Sequence, residues 1–182
     1  CGNSKESYSM FSLQRFICRD EKFFDLIEAL GRSSTTCVKT LAEILLEPEK
    51  PAAVDEIVRL RKESKEHNDA IAHELCVSFV TPLEREDIEA LSTALVRISK
   101  TSGKFASQYR VFSGAIRSED FKKQSEFITQ SAEVLSDMVM QLRHKPDVKL
   151  VKELNNRLRY YEGETDRILL TLLEQLYSES VI

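Results

Sequence analysis

Two carboxylates four residues apart, Glu162 and Asp166, continue an otherwise apolar row: Leu158, Glu162, Asp166 and Leu170 follow one another at steps of four. On a helix that spacing stacks side chains along one side. Like charges at i and i+4 repel by roughly a few tenths of a kcal/mol on a solvated helix, and burial raises the cost. A buried pair would need a cation from another helix, a proton or a metal ion beside it. Carboxylate oxygens suit a hard or borderline divalent cation. The plainer reading is a solvated flank, because charged side chains are mostly exposed. Spacing leaves both readings open.

A matching row lies 97 residues earlier, at Arg61, Lys65, Asp69 and His73. Here Lys65 and Asp69 have opposite signs at i and i+4, so this row looks self-neutralised while the later one looks short of positive charge. Asp69 could join Glu162 and Asp166 as a ligand, with His73 as an additional one. The polar block Arg61–Ala70 contains no large apolar residue, which is usual for a solvated helix face; together with the acidic pair it is also the candidate surface for docking a partner protein.

The elements that carry these residues read as helices. Asp20 before Glu21, Pro51 after Glu49, and Ser118 before Glu119 have the form of helix starts. Thr81-Pro82-Leu83-Glu84 has the form of a capping box, with Pro at the first helical position. The prolines fall between periodic stretches, and five long helices are expected at about 20–47, 51–80, 82–113, 119–143 and 147–180. In the third, Ile88, Leu91, Leu95, Ile98, Ser102, Phe105, Tyr109 and Phe112 alternate steps of three and four. Short connections make successive helices antiparallel neighbours.

The 97-residue offset extends beyond the charged rows. It carries Phe24, Ser34, Val38 and Leu45 onto Phe121, Ser131, Leu135 and Leu142, and Val54, Ile57, Asp69 and Ile71 onto Val151, Leu154, Asp166 and Ile168. Register kept across a loop and into the next helix marks a helix-hairpin repeat, about 20–80 and 117–177, with the third helix as the joint. The expected fold class is all-α, an elongated antiparallel bundle of five or six helices built from two related halves. Residues 1–19 form a separate segment ahead of the 20–182 bundle, where Phe11, Leu13, Phe16 and Ile17 could dock as a short helix.

Composition narrows the function. The chain has 182 residues, with 26 Lys+Arg against 30 Asp+Glu and a net charge of −4. Mixed charge without a basic tail argues against a general nucleic-acid binder, and no apolar run is long enough to span a bilayer. The 5 glycines form no GxGxxG or P-loop, and the 3 histidines form no HExxH or ExxH pair. Cys1, Cys18, Cys37 and Cys76 form no CxxC, so a reducing compartment is expected. Cys37 and Cys76, each among apolar neighbours, are expected in the core. Cys1-Gly2 fits a truncated start better than a processed lipoprotein terminus.

The stretch 79–88, FVTPLEREDI, preceded by HNDAIAHEL at 67–75 and followed by a long heptad helix, resembles the PhoU-like family of phosphate transport regulators. The family accompanies Pit-type inorganic phosphate permeases. The segment 161–169, YEGETDRIL, is similar to that family's last helix. The resemblance spans roughly 20–180. It implies an all-helical fold of two related halves, cytoplasmic placement at the inner membrane face, no catalysis, and regulation of phosphate uptake. The partner it implies is a Pit-type permease or another phosphate-sensing protein, with membrane contact only through that partner and no nucleic acid.

Relatives of this kind hold metal clusters through E/DxxxD motifs. By resemblance Glu162 and Asp166 keep the motif and Asp69 keeps half of a second copy, whereas Lys65, Val96 and Lys100 stand where acids would be. Two expectations follow. Either Asp69, Glu162 and Asp166 hold one divalent ion (Fe, Mn, Zn or Mg), or Lys65 and Lys100 face those acids and replace metal with ammonium groups. A metal-storing or metal-sensing bundle without a transporter partner is the alternative function. An apolar strip on long amphipathic helices also favours a homo-oligomer.

Overall fold

The structure, a computed structural model, describes residues 5–47, 51–112, 121–144 and 147–179, with the side chains of 5–20, 51, 52, 112, 176, 178 and 179 excepted. Five α-helices run α1 (Lys5–Leu46), α2 (Pro51–Val77), α3 (Arg85–Phe112), α4 (Lys122–Gln141) and α5 (Val148–Glu179). Described residues include no strand. At ~1.5 Å per residue the 42-residue α1 is about 60 Å long, which sets the elongated shape.

Pairings across the helices fix their directions. Ser33 meets Ser64 and Lys22 meets Glu74, so α2 runs antiparallel to α1. Ser34 meets Leu95 and Tyr109 meets Leu45, so α3 runs parallel to it. Lys39–Glu133 and Arg143–Glu28 make α4 antiparallel to α1. Helix α1 is thus the axis, in contact with α2, α3 and α4, whereas α5 packs on α4.

Two apolar clusters form the core. One gathers Phe23, Ile27, Leu30, Ile71, Ile88, Leu95 and Val139; the other gathers Cys37, Leu41, Ile44, Leu45, Ile57, Leu60 and Tyr109. Fully burying one such aliphatic or aromatic side chain contributes about 1.5–3 kcal/mol. Between the clusters lies a layer of small polar residues. Ser64 Oγ donates to Ser33 Oγ at 3.0 Å, and Ser34 Oγ donates to the Leu95 carbonyl at 2.9 Å. Cys37 Sγ donates to the Ser99 carbonyl at 3.6 Å. Every hydroxyl here finds an acceptor, so the small side chains let helices approach without orphaned polar atoms.

Several expected boundaries move. Helix α1 does not start at Asp20; its backbone is continuous from Lys5, so 5–19 extends α1 and is not a separate short helix. Docking of Phe11, Leu13, Phe16 and Ile17, the Ser118 start and the Cys1 terminus lie outside the described side chains or residues. The Thr81–Glu84 capping box does not form. Thr81 Oγ1 donates forward to the Leu83 carbonyl at 2.7 Å, and α3 begins at Arg85. Arg85 instead donates its two guanidinium arms to the Leu75 and Ser78 carbonyls. It thereby caps the C-terminal end of α2, where carbonyls lack intrahelical partners. The α5 start is capped by Asp147, whose Oδ1 accepts from the Lys149 amide at 2.9 Å.

Candidate functional site

Asp69, Glu162 and Asp166 are all exposed, and so is His73. Asp69 lies on α2, which packs on α1 and α3, while Glu162 and Asp166 lie on α5, which packs on α4. Among the described residues no three or more His, Cys, Asp or Glu side chains come together in a way that could hold a metal ion. The expected shared acidic interior is therefore corrected to separate solvated flanks. Helix geometry explains it. A step of four turns about 400°, so each step drifts about 40° round the helix. The half-buried and buried seam of α5 runs through Val151, Leu154, Leu158, Tyr161, Thr165 and Ile168 at mixed steps of three and four, while the pure four-step row leaves it and ends at Leu170, 60% exposed.

Lys65 and Lys100 are exposed too and do not face those acids as interior cations, whereas Val96 is half-buried against the Phe23 cluster. Lys100 lines a groove of about 420 Å³ between α2 and α3, together with Arg61, Lys104, Ser107, Gln108 and Val111. Gly103 lies under Arg61, whose aliphatic stem occupies the space a Cβ would take. Continuing this antiparallel register by one turn brings Lys65 to the level of Ser99 and Lys100. The groove lining carries three cations and no acid. Ser107 Oγ is committed to the Gly103 carbonyl at 2.9 Å.

A second groove, about 440 Å³, opens over α1 between α3 and the α4–α5 hairpin. Leu41, Leu45, Phe105, Phe121, Ile128 and Leu169 give it apolar walls, with Gln124 among them. Gln124 Oε1 is buried and has no hydrogen-bond partner. In the repeat Gln124 corresponds to the fully buried Ile27; it is a polar residue at a core position, where a lost hydrogen bond costs about 1–3 kcal/mol. The outward face of α5 continues the apolar surface: Leu169, Leu170, Leu173 and Tyr177 are exposed, Tyr177 to 70%.

Sequence reasoning missed both grooves. Gly103 inside a long helix, where glycine costs about 1 kcal/mol against alanine, was the available signal for a close approach. Arg61 stands out in the sequence only as the first residue of the polar block Arg61–Ala70, and nothing in the spacing sets Lys104 apart.

No family model matches the chain, and no curated protein matches it. Among the described residues no helix is long and apolar enough to cross a membrane.

Proposed function

We propose that this protein is a non-enzymatic accessory of inorganic phosphate transport, acting at the cytoplasmic membrane face by docking on a permease or another phosphate-sensing protein. The observation that carries the docking part is the uncovered apolar surface of the α5 C-terminal half and its groove. Leu169, Leu170, Leu173 and Tyr177 stand together in solvent beside an apolar cleft, and contiguous apolar patches on soluble chains mark interaction sites. The unpartnered Gln124 oxygen on the groove wall gives an entering segment one donor-seeking group to satisfy. The transport part is supported by the resemblance at 79–88 and 161–169. The metal reading draws no support from the acids, which stand apart on two helices that pack on different neighbours.

The test is phosphate uptake by cells carrying the cognate Pit-type permease, with the chain deleted, restored, or restored as Leu169→Glu/Leu173→Glu. Deletion changes the uptake profile, wild type restores it, and the double variant, still folded because both positions are exposed, does not. Uptake indifferent to deletion would sink the transport role; full restoration by the double variant would sink this docking face.

A further inference from the structure

The geometry points to a separate ligand site: the α2–α3 groove holding Arg61, Lys100 and Lys104 binds a small anion bearing phosphoryl groups. Several cations elsewhere on the surface find acids. Arg59 pairs with Glu56 and Glu63, Lys62 with Glu66, Arg167 with Glu164, and Arg143 with Asp25 and Glu28. Arg61, Lys100 and Lys104 pair with no acid among the described residues, and no acid lines their groove. Lys100 and Lys104 stand at i and i+4, a spacing at which like charges repel, and Arg61 is brought against the same surface from α2. The fold does not force that approach; Gly103 permits it. A side chain at 103 would fill the space of the Arg61 stem, and glycine is the least favourable ordinary residue for a helix interior.

An anion resolves the repulsion, and the donor set selects its type. A guanidinium offers a planar fork matched to phosphoryl oxygens, and lysines add point charges around it. Gln108 adds a neutral amide at the rim. A groove of about 420 Å³ is within the size of small-molecule sites and suits a diphosphate or a phosphorylated metabolite. The site faces α2 and shares no lining residue with the apolar groove, which α3 borders through Thr101, Ser102 and Phe105, and it stands whether or not the transport role holds.

Calorimetric titration of the whole chain with pyrophosphate, ADP and sulfate at low salt tests it, alongside sedimentation with phosphoinositide-containing vesicles. One pyrophosphate or ADP per chain is expected, at least about tenfold tighter than sulfate. Lys100→Gln/Lys104→Gln weakens it by about tenfold or more, while Lys62→Gln, whose ammonium pairs with Glu66, leaves it within about twofold. Gly103→Ala is the sharper variant: it displaces Arg61 and weakens binding while the melting temperature holds or rises, because alanine favours the helix. Binding to vesicles alone, lost in the double lysine variant, supports phosphoryl recognition with a lipid headgroup as the source. No binding to any of these, sulfate binding as tight as pyrophosphate, or affinity unchanged in all variants overturns it.

Discussion

Cys37 and Cys76 share a side chain and differ in everything a helix position decides. Cys37 is fully buried and donates to the Ser99 carbonyl, whereas Cys76 is exposed. Both were expected inside because both have apolar sequence neighbours, yet adjacent helical residues point about 100° apart, so Leu75 turns inward while Cys76 does not. Burial pushes the Cys37 thiol up to about 11 against an ordinary 9.0, with Arg61 pulling weakly the other way. Its reactive thiolate is therefore suppressed in the folded chain. Brief alkylation of native protein, read by mass mapping, should label Cys76 and spare Cys37 until denaturant is added. The raised folded value also fixes a pH window. The stabilisation from the neutral buried thiol is full below pH 9 and is lost as pH rises through about 11. The stability difference between wild type and Cys37→Ala should shrink across that window; a constant difference would show that Cys37 does not titrate there. The same geometric rule made the acidic row illegible. Spacing put Glu162 and Asp166 on one side of α5, but only packing could say which side faces α4.

Among the elements, α1 and α4 approach closely at Gly31, where an added Cβ would sit 2.9 Å from Val139 Cγ1. Around that contact Arg143 donates to Asp25 and Glu28 and lies 5.8 Å from the centre of the Phe24 ring. These contacts lie at the surface, half-buried at Glu28 and exposed at Asp25, and surface ion pairs add little by themselves, so the apolar packing at Gly31 and Val139 is the stronger part of the pairing. Gly31→Leu should destabilise by about 1–3 kcal/mol through overpacking, measured by urea unfolding. Val139→Ala should recover part of that loss in the double variant, since touching residues couple. Additive losses would mean the two sites do not meet. The helices themselves were legible from apolar periodicity and proline placement, and α2 and α5 start within a residue of expectation. The α3 start was not, because Thr81 and Glu84 satisfy a local pattern while Arg85 reaches back across the turn to α2. A tertiary hydrogen bond is invisible to a local motif.

At the scale of the whole molecule, the 97-residue offset led us to expect two related halves, and the structure loads them unequally. Helix α3 packs on α1 and α2, while α5 packs on α4. Matched positions show the consequence. Ile71 is fully buried and its counterpart Ile168 is half-buried; Ile27 is buried and its counterpart is the unsatisfied Gln124. Hydrophobic pattern records which face of a helix is apolar, not how many neighbours arrive to cover it. Stability should be graded in the same way, since segments with few buried contacts open at lower free energy than the core. Amide hydrogen exchange on the free chain should find α5 exchanging by local opening, ahead of the α1 segment from Phe23 to Leu45, where Ile27, Leu30, Cys37 and Ile44 are sealed on several sides. A partner seated on Leu169, Leu170 and Leu173 would supply the missing contacts, so α5 protection should rise on adding it and α1 protection should hardly change. If α5 in the free chain is already as protected as α1, it opens only with the whole fold, and its exposed leucines are not waiting for a partner to stabilise them.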